Sequence, residues 1–277
     1  MKAVVIGLGL IGGSLALNLK QNKFISCVYG IDLNKEHLKE ALELGLIHQE
    51  ISFDNINECD LIFLCTPVSA IISIIKELSK LNLSKNTSII EFGSTKESIK
   101  KAIPSELKSQ FILAHPMAGT ENSGPKAAFK ELFTNAVCVL CIDKEVNNFH
   151  EHRIIELLSS LKMRLVFMDE KEHDHHSAII SHLPHIISFS LANYVLACED
   201  KKHILNLAGG SFSDMSRIAK SSPLMWQNIF KENKENVLAS LKDFKEELKK
   251  FEDFVNNDDY EALFKWLQNA NELRKIL

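Results

Sequence analysis

Apolar positions fall in short blocks along the first 168 residues and in long helical stripes after them. Residues 2–6, 26–31, 61–65, 88–92, 111–114, 136–142 and 164–168 form brief runs rich in Val, Ile, Leu and Phe. Runs of this length, apolar on both faces, predict strands inside a largely parallel sheet. Helical periodicity lies between them, over 11–20 and 34–44. A further helix is predicted to run to Leu78, with Thr66 as N-cap and Pro67 in its first position. The alternation predicts an α/β Rossmann-type doubly wound sheet.

From Asp169 onward no strand pattern recurs. Residues 177–196 are apolar almost all round, which predicts a helix buried on every side and bent at Pro184. From Trp226 the apolar positions Phe230, Val237, Leu241, Phe244, Leu248, Phe251 and Val255 predict one long amphipathic helix. It should break at Asn256-Asn257-Asp258-Asp259 before a last helix over 260–277. We therefore expect a dinucleotide-binding domain over 1–168 and an all-α domain over 169–277. The helical part is too thin to cover these apolar faces alone. That favours a homodimer built through it, the alternative being a compact monomeric bundle.

Composition narrows the class. The chain has 277 residues, 45% hydrophobic and 25% charged, as in ordinary soluble globular proteins. A net charge of −4 and a pI near 6.3 argue against nucleic acid or an anionic membrane as partner. No uninterrupted apolar run approaches the ~20 residues of a membrane span. The first strand begins at Lys2, leaving no room for a signal peptide, so a cytoplasmic location is expected. Of the six cysteines, Cys138 and Cys141 form a nominal C-x-x-C inside a predicted strand. Residues three apart on a strand face opposite sides, so buried free thiols are expected rather than a redox or zinc pair. Of the 32 basic residues only Arg153, Arg164, Arg217 and Arg274 are arginine, so each invites the question of what needs its planar fork.

Gly7-Leu8-Gly9-Leu10-Ile11-Gly12 is a G-x-G-x-x-G between a predicted strand and helix, and Asp32 follows at the end of the second strand. In that context the motif binds a dinucleotide pyrophosphate at a helix N-terminus. The carboxylate suits a ribose 2′-hydroxyl and repels a 2′-phosphate, favouring NAD over NADP. The bland reading of Asp32 is a turn or capping residue.

His115 stands at the end of the run Phe111-Ile112-Leu113-Ala114, before Pro116, where a parallel sheet places its ligands. An imidazole there is well placed for proton transfer near neutral pH. Ser94 lies at another strand end, and Ser94-x-x-Glu97 also reads as a capping box. Glu172-His173-Asp174-His175-His176 lacks metal-ligand spacing and reads as a charged, exposed helix start, so no metal is expected. His182 and His185 sit inside an apolar helix and need partners. Arg217 is flanked by small residues, and its fork fits a substrate carboxylate with Asp214 orienting it.

Taken together these segments resemble the prephenate dehydrogenase family, which includes arogenate and cyclohexadienyl dehydrogenases. The resemblance runs from Met1 to about Asn233. It is carried by Gly7-Leu8-Gly9-Leu10-Ile11-Gly12-Gly13-Ser14, Gly93-Ser94-Thr95-Lys96, His115-Pro116-Met117-Ala118-Gly119-Thr120-Glu121, Ser181-His182-Leu183-Pro184-His185, Arg217-Ile218-Ala219, Ser222-Pro223, Trp226 and Asn233. Glu91 stands where an aspartate is common, Ser213 where a basic residue is frequent, and Ser216 replaces a usual threonine.

The resemblance implies oxidative decarboxylation of prephenate, or of arogenate, with hydride passing to NAD⁺ from the ring carbon bearing the 4-hydroxyl. It implies that His115 accepts the hydroxyl proton and that Ser94 hydrogen-bonds the same oxygen. Arg217, His182, Asp214 and Glu121 would bind substrate, and Gly7, Gly9, Leu10, Ile11, Gly12, Asp32, Thr66 and Pro67 the cofactor. The rivals are a different two-domain NAD(P) dehydrogenase and a non-catalytic NAD sensor.

Overall fold

The computed structural model describes residues 1–120 and 122–276. Eight strands form one sheet: β1 (Lys2–Ile6), β2 (Cys27–Ile31), β3 (Gln49–Glu50), β4 (Leu61–Leu64), β5 (Ser88–Glu91), β6 (Phe111–Pro116), β7 (Val137–Cys141) and β8 (Arg164–Phe167), in the order β3-β2-β1-β4-β5-β6-β7-β8. All neighbours are parallel except β6 and β7. Helices α1 (Leu10–Leu19), α2 (Lys35–Glu43), α3 (Val68–Leu78), α4 (Glu97–Ala102) and α5 (Asn148–Ser160) connect the strands.

Alternation along the strands divides the core. Val5, Phe63, Ile112, Ala114, Cys138 and Leu140 pack on one face of the sheet. Val4, Ile62, Leu64, Phe111, Leu113, Val139 and Cys141 pack on the other. Cys138 and Cys141 thus lie on opposite faces, and both are free thiols.

The antiparallel pairing alters one expectation. β6 does not end at Ala114: His115 pairs with Val139 and Pro116 with Cys138. The ladder of β7 carries the strand two residues further, so His115 sits on rigid backbone rather than in a turn. Period-two alternation puts it on the same face as Phe111 and Leu113.

Helix α6 (Glu170–Ser177) begins after β8, capped by Asp169, which accepts from the amides of Lys171 and Glu172. One π-helical turn (Ala178–His182) leads into α7 (Leu183–Cys198). Pro184 has no N–H to continue the ladder, and it falls in the first turn of α7 directly after the π turn. Then follow α8 (Lys201–Leu207), α9 (Gly210–Arg217) and α10 (Pro223–Glu232). Two compact units are distinguished, Met1–Asn233 and Lys234–Leu277. The second unit is a hairpin of α11 (Lys234–Asn256) and α12 (Tyr260–Ala270), closed by Trp266 donating to Glu247 and packing on Phe251. The division falls at Asn233, beyond the change from sheet to helices at 168/169.

Three expectations are corrected. The helix read from Trp226 to Val255 is two helices, interrupted at Asn233, whose side chain bonds elsewhere instead of facing solvent. The run 177–196 is not buried all round: Ile180 is 72% and Leu196 70% exposed in the single chain. The continuous helix Glu170–Cys198 is also long and apolar enough, by length and composition, to cross a membrane, which the separate apolar runs did not suggest.

Candidate active site

The glycine turn is fixed by sterics. Gly7 has φ +94°, and a Cβ on Gly12 would lie 1.8 Å from the carbonyl oxygen of Gly7, so neither position accepts a side chain. Asp32, just beyond β2, accepts from the amide of Leu8 at 2.8 Å and of Asn34 at 2.8 Å. It therefore braces the turn besides facing whatever binds there.

Two observations fit the turn to a dinucleotide. A Cβ on Gly9 would meet nothing within 4 Å, and α1 begins at this residue with no side-chain cap, so the amides of Leu10 and Ile11 open a bare helix N-terminus. Thr66 lies against Gly7, with its buried hydroxyl unpartnered among the described residues. Thr66 is not an N-cap. Pro67 takes that position because its own backbone is still extended, with ψ 151°, and α3 starts at Val68.

At the carboxyl ends of β5 and β6 a polar chain is assembled. His115 Nδ1 is 2.8 Å from His173 Nε2, and His173 Nδ1 is 2.7 Å from Asp174 Oδ1. The Asp174 carboxylate also accepts from the amides of Lys96 at 2.8 Å and Glu97 at 2.9 Å. Asp174 therefore caps α4 from a distance, and the expected Ser94–Glu97 capping box does not form. Glu97 instead reaches Lys101. Ser94 is left half-buried, and its hydroxyl has no hydrogen bond among the described residues.

The chain of bonds sets a tautomer. Asp174 already accepts two amide protons, so as a carboxylate it must also accept from His173 Nδ1–H. His173 Nε2 is then an acceptor, and His115 Nδ1–H donates to it. His115 Nε2 is left with its lone pair free. Burial pulls His115 well below the usual histidine range, with His173, Lys96 and His182 adding to the effect. Burial also lowers His173, partly offset by Asp174. A neutral imidazole with a free lone pair can accept a proton, and the burial that keeps it neutral also lowers its basicity.

His182 lies in the π turn and is buried. The side-chain amide of Asn233 donates to the carbonyl of Asp174 at 2.7 Å and lies 3.2 Å from His182 Nδ1. His182 Nδ1 therefore accepts, and its proton sits on Nε2, which has no partner among the described residues. Burial pulls this imidazole down to about 4. Trp226 packs edge-on against His182 and stacks on His185 at 3.7 Å. Arg217 ends α9 with its side chain exposed, close enough to His185 to depress its protonation.

The structure thus brings His115, His182 and Ser94 to one region, with the glycine turn at the carboxyl end of the same sheet. It does not pair Arg217 with Asp214: both are exposed and no ion pair joins them. Residues three apart share a helix face, but an exposed ion pair gains little over hydration, and here both side chains reach solvent. Glu121 lies outside the described residues. The cluster 172–176 is not simply an exposed helix start, since His173 and Asp174 are buried at 1% exposure. Among the described residues no group of three metal-ligating side chains occurs. Sequence reasoning missed His173 and Asp174. Extending the buried stripe of 177, 178 and 182 back by one turn reaches 173 and 174, and that signal was available.

Comparison with known proteins gives the family. The model of the prephenate dehydrogenase nucleotide-binding domain matches residues 15–167, and that of the prephenate dehydrogenase dimerization domain matches 169–269. The chain belongs to the prephenate dehydrogenase family. Prephenate dehydrogenase of Bacillus subtilis (strain 168) is 33% identical over 276 residues, 98% of this chain and 74% of its own length. The crystal structure of prephenate dehydrogenase from A. aeolicus, in complex with hydroxyphenyl propionate and NAD⁺, superposes with a TM-score of 0.92 at 28% identity, covering 99% of this chain and 97% of that one. Synechocystis arogenate dehydrogenase superposes with a TM-score of 0.82 at 30% identity, covering 99% of both chains.

Proposed function

We propose that this chain catalyses the NAD-dependent oxidative decarboxylation of prephenate to 4-hydroxyphenylpyruvate, a step of tyrosine biosynthesis. The observation that carries the reading is the His115–His173–Asp174 chain, which leaves His115 Nε2 as a free base at the edge of a sheet that also bears a dinucleotide turn. Bound nicotinamide supplies the hydride acceptor. Gly7, Gly9, Leu10, Ile11 and Gly12 hold its pyrophosphate, Asp32 the ribose, and Thr66 and Pro67 the segment beside the turn.

His115 Nε2 takes the proton of the substrate 4-hydroxyl while Ser94 donates to the same oxygen. Removal of hydride from that ring carbon leaves a dienone conjugated to the ring carboxylate. Loss of CO₂ then restores aromaticity and returns the electrons to the phenol oxygen. The unpartnered Nε2–H of His182 is a donor for a substrate carboxylate, and Arg217 supplies a second anchor. Asp214 has no part in this arrangement.

The family-model boundaries support a functional division near 168/169, with the cofactor held by 1–168 and the substrate and a second copy engaged by 169–277. Exposed Ile180 in the π turn, Tyr194 and Leu196 on α7, and Phe251, Phe264 and Leu267 on the terminal hairpin supply the apolar surface a homodimer would bury. No charge pattern favours nucleic acid, and the apolar helix 170–198 is read as dimer surface rather than membrane anchor. A cytoplasmic location fits this reading.

The likeness to an arogenate dehydrogenase supports arogenate as a second substrate, differing only by an amino for a keto group on the side chain. Following nicotinamide reduction and CO₂ release with each compound tests both readings. Reduction with prephenate is expected, and reduction with neither compound would overturn the assignment.

A further inference from the structure

Behind His115 lies a buried ion pair that the proposed reaction does not use. Glu91, the last residue of β5, and Lys96, in the turn before α4, are both fully buried. Their side chains bond to one another. Glu91 also accepts from the amide of Gly93 at 2.7 Å, and Lys96 Nζ donates to the carbonyl of Ala114 at 2.8 Å, immediately before His115. The backbone of Lys96 donates to Asp174. One residue therefore touches both ends of the histidine chain, His115 through its preceding carbonyl and His173 through Asp174.

A buried ammonium is costly, and a hydrophobic pair of the same volume would hold the strand ends as well. We propose that Lys96 is a positioning residue: its ammonium, paired with Glu91 and bonded to the carbonyl just before His115, adds to burial and His173 in opposing a proton on His115 and so extends its use as a base into the acidic range. This rests on the reading of His115 as the base.

The charged and titratable groups around His115 come from every neighbouring element. They are Glu91 from β5, Lys96 from the turn after it, His173 and Asp174 from α6, His182 from the π turn, and Cys138 and Cys141 from β7. Lys96 is the only lysine or arginine among them. Burial pushes Glu91 up to about 7 against the pull of Lys96, so acidification neutralises the carboxylate and leaves the ammonium unbalanced beside His115. Positive charge then opposes a proton on His115 where that proton would otherwise bind.

The test compares Lys96→Gln, Glu91→Gln and the double variant, reading the acid limb of kcat/KM and the ¹H–¹³C titration of His115 in histidine-labelled full-length protein. The double variant removes the ammonium without stranding a carboxylate, so it serves if Lys96→Gln fails to fold. We expect the acid limb and the His115 titration to move up by about one pH unit when the ammonium is lost, singly or doubly. Glu91→Gln, which retains the ammonium, should leave them in place or move them down. Unmoved profiles without the ammonium, or an upward shift in all three variants, would overturn the proposal. An active His115→Asn enzyme would instead overturn the reading beneath it.

Discussion

His115 Nδ1 and His173 Nε2 lie 2.8 Å apart, with ring centroids at 5.0 Å and the rings steeply inclined. The bond makes the two imidazoles one unit, with Asp174 at its far end. Roles that belong to the unit cannot be assigned to one ring alone.

Replacing His115 by Asn should lower kcat by about 10²–10⁴-fold, the range expected for loss of a positioned base. NAD⁺ binding, measured by fluorescence titration, should be unchanged, because among the described residues the hydrogen bond and ring contact of the His115 side chain are to His173 and not to the glycine turn. An unimpaired variant would remove His115 from the chemistry.

Asp174→Asn should also lower kcat with little change in KM, since it disturbs the tautomer rather than the substrate contacts. In a His115→Asn background the same change should cost almost nothing more. A double-mutant cycle checks this non-additivity. Additive losses would mean that Asp174 acts only through the cap of α4.

Arg217→Ala should mainly raise KM for the carboxylate substrate. Steady-state kinetics with saturating NAD⁺ separates this from a loss of kcat, and an unchanged KM would leave Arg217 without an anchoring role.

Acid should destabilise the fold through its buried histidines. His115, His150, His173, His182 and His185 are all held below the ordinary histidine range, chiefly by burial. Between about pH 6.5 and the lower native values, the unfolded chain binds protons that the native chain does not. Stability is therefore full above pH 6.5 and falls as the pH drops through that window. For His182, displaced to about 4, the loss amounts to roughly 3 kcal/mol once the pH falls below that value. The raised carboxyl of Glu91 acts in the opposite sense over the same range, so the histidine effect is read in Glu91→Gln protein, where urea midpoints at pH 7.5, 6 and 5 should decline in that order and a flat series would contradict the burial of these histidines.

Gly12→Ala should abolish NAD⁺ binding without unfolding the sheet, because the added Cβ collides with the carbonyl of Gly7 and displaces only the turn. Calorimetric titration with NAD⁺, with circular dichroism as a check on folding, measures this.

The sequence by itself determined the sheet, the glycine turn with Asp32, and the presence of His115 and Ser94 at strand ends. Those features are local: strand runs, a turn that excludes side chains, and a proline that fixes the residue before it. It also identified His182 within an apolar helix. Only the tertiary structure decided what these residues do together. His173 and Asp174 read as solvated helix-start charges because burial of a polar side chain depends on partners far away in the chain. Here those partners are His115 and the amides of Lys96 and Glu97. The same holds for Lys96, an ordinary turn lysine until β5 and β6 close over it, and for Asn233, whose bonds to Asp174 and His182 interrupt an otherwise continuous helical pattern. Periodicity records which face is apolar, whereas a hydrogen-bonded polar chain is set by contacts between elements that no local pattern encodes.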